Sequence, residues 1–265
     1  MNNRMDNAFN TLKAQGKKAL VTFVTAGDPD LDATYDLVLA MEEAGASLIE
    51  LGIPFSDPMA EGPVIQAANV RALKNGVKID QVFNLVARLR EKTQIPLVFL
   101  MYANCIYRYG KTRFFERCRA CGIDGVILPD LPFDEQEEFK DAADSQGIYL
   151  ISLIAPTSGD RIGPIARNAA GFLYCVSSLG VTGVRENFAT DLGAFHEKVA
   201  KESSLPAFLG FGVSGPEAVK TLKGPWDGLI VGSAIVRLIE KSPGGREAVE
   251  AVKAFTYKLR EALDG

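Results

Sequence analysis

Eight short apolar runs recur along the chain, each followed by a longer stretch in which apolar positions return with helical spacing. The runs are Ala19–Thr25, Ser47–Ile53, Leu97–Tyr102, Gly125–Leu128, Tyr149–Leu153, Phe172–Val176, Ala207–Gly210 and Gly228–Val231. Near-continuous apolar character over so few residues predicts strands buried on both faces, as in a parallel sheet. The stretches between them predict helices. In Leu31–Ala44 one side carries Leu31, Tyr35, Val38, Leu39 and Met41, and the pattern stops near Gly45. Asp80–Lys92 repeats it with Val82, Phe83, Leu85, Val86 and Leu89. Thr112–Cys121, Glu135–Asp144, Asp191–Lys201 and Arg246–Leu263 follow suit. Pro63, Pro164 and Pro216 stand where a helix can begin.

Eight β/α units joined by right-handed crossovers close naturally into a (β/α)₈ TIM barrel, and this is the fold expected of the chain. The alternative is an open doubly wound sheet, which wants a glycine-rich fingerprint after its first strand. Here that position reads Thr25-Ala26-Gly27-Asp28-Pro29-Asp30. A length of 265 residues suits one barrel domain, with the polar segment 1–18 expected as a capping helix beneath it. Short helices are expected beyond the eight units, one of them opening after the last strand.

In such a barrel the chemistry lies at the C-terminal ends of the strands. Glu50 is the charged residue inside the second apolar run, among Leu48, Ile49, Leu51 and Ile53. Desolvation there raises a carboxyl pKa and makes the group a proton shuttle near neutrality; a structural ion pair would also account for it. The following loop carries Asp57 and Glu61, with Gly62-Pro63 and a helix start pinning Glu61 over the barrel mouth. Two glycine sites, Gly210-Phe211-Gly212 and Gly232-Ser233, follow the seventh and eighth strands. Backbone N–H groups at such turns and at a helix N-terminus cradle phosphate, although tight turns alone would also explain each pair. The glycine-flanked segment 177–187 suits a lid that excludes water, or an ordinary loop.

Composition narrows the classes. With 47% hydrophobic and 23% charged residues the chain reads as a soluble globular protein. A net charge of −4 and the lack of any basic run argue against nucleic-acid binding. No segment reaches the roughly 20 apolar residues of a membrane span, and the N-terminal segment lacks the apolar core of a signal peptide, so a cytoplasmic location is expected. Cys118 and Cys121 form a lone C-x-x-C on a predicted helix, read as buried reduced thiols rather than metal ligands. His196 is the single histidine, which removes a Ser-His-Asp triad or a multi-histidine metal site from consideration.

The run Glu50-Leu51-Gly52-Ile53-Pro54-Phe55-Ser56-Asp57-Pro58, with Ala60, Gly62, Pro63, Ile65 and Gln66, closely resembles the signature of tryptophan synthase alpha subunits. Leu100-Met101-Tyr102-Ala103-Asn104, Gly180-Val181-Thr182-Gly183, Gly210-Phe211-Gly212 and Gly232-Ser233-Ala234-Ile235-Val236 resemble it too. The resemblance extends from about Phe9 to the last helix.

It implies a carbon–carbon lyase that splits indole-3-glycerol phosphate into indole and glyceraldehyde 3-phosphate. Glu50 matches the family's catalytic glutamate. The second catalytic carboxylate is usually an Asp, and this chain has Glu61 there, one methylene longer. Phe23, Leu100, Tyr102, Leu128, Tyr174 and Phe211 match the indole pocket; Gly183, Gly212, Gly232 and Ser233 the phosphate site; Thr182 the lid; and Pro54 and Asp57 the region facing a beta subunit. The resemblance implies no metal or organic cofactor in this chain, an alpha2-beta2 assembly, and pyridoxal phosphate in the beta partner. Three rival readings are a stand-alone indole-glycerol-phosphate lyase, a catalytically silent regulatory subunit, and another phosphate-binding barrel such as a sugar-phosphate isomerase.

Overall fold

A computed structural model describes residues 3–177, 188–210 and 212–265. Eight parallel strands close into a barrel in the order of the sequence. They are β1 (Ala19–Thr25), β2 (Leu48–Gly52), β3 (Leu97–Leu100), β4 (Gly125–Ile127), β5 (Tyr149–Ile154), β6 (Leu173–Val176), β7 (Ala207–Gly210) and β8 (Gly228–Val231). The barrel closes where β1 pairs with β8, Ala19 opposite Gly228 through Thr22 opposite Val231. Helices α1 (Arg4–Ala14), α2 (Leu31–Glu43), α3 (Pro63–Lys74), α4 (Ile79–Arg90), α5 (Ala103–Tyr109) and α6 (Lys111–Cys121) belong to the first half. The second half holds α7 (Glu137–Asp144), α8 (Ile162–Asn168), α9 (Phe188–Glu202), α10 (Pro216–Leu222), α11 (Ser233–Lys241) and α12 (Gly245–Asp264).

Alternation along each strand sorts the apolar residues into two cores. Leu20, Val24, Ile49, Leu51, Phe99, Val126, Leu173 and Leu209 point outward and pack beneath the helices. Ala19, Val21, Leu48, Val98, Ile127, Ile151, Phe172, Phe208 and Ile230 point inward and fill the barrel. Met5, Phe9 and Leu12 of α1 join that inner core from below. Phe9 sits edge-on to Phe172 and Phe208, with ring centroids 6.0 and 5.0 Å away. The helix starts on a capping box: Asn3 accepts from the Met5 N–H, and Asp6 accepts from the Asn3 N–H.

At the same end lies Asp124, just before β4 and 3% exposed. Its carboxylate accepts from Arg4 at 2.9 Å, Arg90 at 2.8 Å and the Leu97 N–H at 2.9 Å. Asn3 donates to the Asp124 carbonyl at 2.8 Å. The plug helix, α4 and β3 are thereby tied to one buried charge.

Some boundaries differ from those the apolar pattern predicts. β3 stops at Leu100 because Tyr102 already caps α5, whose first N–H, that of Ala103, donates to the Asp130 carboxylate at 3.0 Å. The short, polar α5 gives no periodic signal and was not predicted. α7 begins two residues beyond Glu135, after a 3-10 turn at Phe133–Glu135. Pro63 and Pro216 open α3 and α10, whereas Pro164 is the third residue of α8. Cys118 and Cys121 lie on the buried side of α6, and burial pushes the Cys118 thiol up and that of Cys121 to about 11. His196 on α9 stands edge-on to Trp226, 4.9 Å between centroids, beside the N-terminal end of β8.

Candidate active site

Glu50 faces the barrel interior because it shares the parity of Leu48 on β2. Its register partners are Phe23 on β1 and Val98 on β3. Only 1% of its surface is exposed, and Oε1 has no hydrogen-bond partner among the described residues. No cation among the described residues compensates it, and burial raises its pKa to about 8. Tyr174, inward on β6, has its phenol pushed well above the usual value by burial, with the nearby charge of Glu50 adding to the effect.

Glu61 enters from the loop after β2. Gly62 caps α3 and Pro63 is its first residue, so Glu61 sits immediately before a helix start. Its Oε2 accepts from Asn69 Nδ2 at 2.9 Å, and its carbonyl accepts from Gln66 Nε2 at 2.8 Å. Burial raises the Glu61 carboxyl to about 7, against the lowering effect of the Asn69 bond. The loop is held from beneath by Tyr102. Its hydroxyl accepts from the Ala60 N–H at 2.9 Å, and its ring stacks on Phe55 at 4.7 Å. Burial, with the charges of Glu61 and Asp130 adding, pushes that phenol up to about 12.

The inner face near the C-terminal ends of the strands carries an apolar surface shaped by missing side chains. Phe23 lies across Gly52, where a Cβ would come within 2.6 Å of the ring. Tyr174 lies across Gly210 in the same way, its ring in the space a Cβ would need. Glycine on the inner face of β2 and β7 thus makes room for two aromatic rings. Leu100 touches both the barrel core and the Phe23 cluster. Beyond Phe23, Gly232 caps α11 and Ser233 opens it. The Ile235 and Val236 N–H groups bond the Gly232 carbonyl, and helix geometry leaves those of Ser233 and Ala234 without an intrahelical acceptor. Gly212 adopts φ +82°, open to the left-handed region and clear of neighbouring atoms within 4 Å of a notional Cβ.

These features lie at one end of a closed parallel barrel, and comparison with known proteins gives them a family. The family model described as tryptophan synthase alpha chain matches residues 9–264. The chain belongs to the tryptophan synthase alpha chain family. A tryptophan synthase alpha chain from Caldanaerobacter subterraneus subsp. tengcongensis is 53% identical over 98% of this chain and 100% of the relative. The crystal structure of tryptophan synthase subunit alpha from Legionella pneumophila str. Paris superposes with a TM-score of 0.92 at 36% identity, covering 100% of this chain and 99% of that one. A tryptophan synthase a2b2 complex from Pyrococcus furiosus includes a chain with a TM-score of 0.84 at 39% identity, covering 92% and 98%.

Against the tryptophan synthase alpha pattern, the structure brings Glu50, Phe23, Leu100 and Tyr174 to the barrel interior, with Tyr102 under the loop that carries Glu61. Leu128 is corrected. It packs in the outer core beneath the helices, while Ile127, opposite Leu100 in register, occupies the interior. Alternation admits only one of two neighbouring residues to the inner face. Thr182, Gly183 and Phe211 lie outside the described residues. Pro54 is half-buried, and Asp57 is exposed with its carboxylate accepting from the Ser56 hydroxyl at 2.6 Å. Asn69, 3% exposed and bonded to Glu61, had no signal in the sequence beyond lying after the helix start at Pro63.

Proposed function

We propose that Glu50 is the acid–base group and Glu61 the electrostatic partner in cleavage of indole-3-glycerol phosphate to indole and glyceraldehyde 3-phosphate, the carbon–carbon lyase reaction of this family. The observation that carries the assignment is the pairing of a buried carboxyl raised to about 8 with a second raised to about 7. At pH 7 the first is mostly protonated and the second is close to half ionised, so an acid and an anion coexist.

The reaction is a retro-aldol cleavage. Indole leaves badly as a C3 carbanion, so C3 must be protonated first. Glu50 donates that proton, and the indole ring becomes an electron-accepting indolenine. The Glu61 carboxylate accepts a hydrogen bond from the indole N–H as positive charge grows there. Glu50, now ionised, takes the proton of the glycerol hydroxyl on the adjoining carbon. The carbon–carbon bond breaks, its electrons return to the ring, an aldehyde forms, and Glu50 ends protonated as it began. One residue serves both proton steps, so this reading requires neither metal nor organic cofactor in the chain. Phe23, Leu100, Ile127 and Tyr174 supply the apolar wall for the ring, and the Gly212, Gly232 and Ser233 backbone receives the phosphate with Gly183. Phosphate binding holds the reacting bond between the acids, and Thr182 and Phe211 complete the lid and pocket.

The reading extends to a partner. The chain works in tryptophan biosynthesis beside a beta subunit in an alpha2-beta2 assembly, the beta subunit carrying pyridoxal phosphate. Pro54 and Asp57 in the exposed loop face it. No described helix is long and apolar enough to cross a membrane, and the cytoplasm is the proposed location.

The test is indole release from indole-3-glycerol phosphate by the purified chain, with and without an added tryptophan synthase beta subunit. Slow release alone and a large rise with the partner is the expected result. Fast release with no partner effect identifies a stand-alone lyase, and no release in either case overturns the assignment.

A further inference from the structure

Asn69 looks from α3 back onto the loop that leaves β2, and its amide is committed on every side. Nδ2 donates to Glu61 Oε2 at 2.9 Å and to the Ile65 carbonyl at 3.1 Å, and Oδ1 accepts from the Phe55 N–H at 3.2 Å. Rotating the amide by half a turn would set its oxygen against the Glu61 carboxylate and its NH₂ against the Phe55 N–H. The network therefore admits one orientation.

The helix beneath this amide is fixed from its far side. Arg71, two residues on and about 200° around the helix, places Nε and Nη2 on the two oxygens of Asp28, each at 2.8 Å. Asp28 is 1% exposed, and Arg71 Nη1 also reaches Glu240 of α11 at 3.1 Å. Asn75 at the end of α3 donates to the carbonyls of Gly27 and Pro29. α3 is thus anchored to the exit of β1 and to the helix that Ser233 opens, which makes the Asn69 amide a fixed donor rather than a mobile one.

We propose that Asn69 is a positioning residue, holding the Glu61 carboxylate in the orientation that meets the indole N–H; this rests on the role given to Glu61 above. Among the described residues Tyr102 is the ionisable group placed beside Glu61, its phenol feeling the Glu61 charge, and no salt bridge reaches the Glu61 carboxylate. The side chain that bonds the Glu61 carboxylate directly is the neutral Asn69 amide. Its bond opposes the desolvation of Glu61.

The test uses the intact chain, measuring kcat and KM for indole release across pH. Asn69→Asp keeps the side-chain size and the acceptor for Phe55, but sets a second carboxyl against Glu61. The limb of kcat on the acid side should move up by at least about one pH unit, with the maximum at least tenfold lower and KM little changed. A residue that merely packs would leave that limb in place. Asn69→Gln lengthens the donor, and Glu61→Asp shortens the acceptor. The double variant should recover activity lost in Asn69→Gln alone, and this pair decides the matter if Asn69→Asp does not fold. Asn69→Asp within twofold of the unaltered chain at every pH, with Glu61→Ala inactive, overturns the proposal alone, as does a double variant no better than Asn69→Gln. Full activity in Glu61→Ala overturns the role of Glu61 and the proposal with it.

Discussion

Asp124, at the plugged end of the barrel, and Glu50, inside it toward the open end, are exposed to 3% and 1% of their surface. Asp124 is met by two guanidinium groups and a backbone N–H. Glu50 is met by aromatic and aliphatic side chains, and one of its oxygens has no partner among the described residues. Burial is the same and satisfaction is opposite. A compensated carboxylate fixes α1 and α4 to the barrel, and breaking such a group is expensive because its partners are left charged and unpaired. An uncompensated carboxyl escapes the expense of burying a charge by holding its proton, and that proton is then available for chemistry.

The sharpest way to break the comparison is to remove the proton from one acid and the charge from the other. Glu50→Gln keeps the shape of the side chain and loses the shuttle. Turnover should fall by about 10²–10⁴-fold with substrate binding largely retained, measured as indole release beside binding of indole-3-glycerol phosphate; near-normal turnover would remove Glu50 from the mechanism. Asp124→Ala should do the reverse. It takes the carboxylate from the buried Arg90 guanidinium and the Leu97 N–H, so a loss of about 3 kcal/mol of stability is expected in chemical denaturation, with kcat at moderate temperature unchanged.

A smaller effect sharpens the contrast. The folded chain holds a proton on Glu50 up to a pKa of about 8, whereas the unfolded chain releases it near 4.5. Between those values the folded state binds more protons, so stability falls as pH rises and the loss is complete once pH passes about 8. Going from pH 6 to pH 9 should cost the unaltered chain about 2–3 kcal/mol more than Glu50→Gln. Parallel stability curves for the two proteins would show that the site is not desolvated.

How much of this was legible in the sequence depended on whether a residue broke its local pattern. The strands stood out because both faces of each are buried, and Glu50 stood out as a charge within such a run. The run Gly125 to Leu128 contains no polar residue to fix its parity, so the resemblance put Leu128 in the pocket, whereas pairing of Leu100 with Ile127 gives the inner face to Ile127. The end of β3 was overrun for a related reason, since Tyr102 continues the apolar run yet serves as a helix cap. Asn69 was invisible because its role depends on a loop folding back against its own helix, a contact that no periodicity records. Glu61 stood out by its place between a strand end and a helix start, but its partner did not.

The proton exchange proposed for Glu50 also bears on which molecules the site accepts. A pocket lined by Phe23, Leu100 and Tyr174 distinguishes apolar rings only coarsely, since a methylene more or less is worth about 1–3 kcal/mol there. A carboxyl that must take its proton back from one hydroxyl, as proposed for Glu50, is far stricter. An analogue that fills the same volume but lacks that hydroxyl gives Glu50 no proton to take back, so its carbon–carbon bond stays intact. On the proposed mechanism, selectivity for the glycerol chain is set in the proton steps at Glu50 rather than by the fit of the ring.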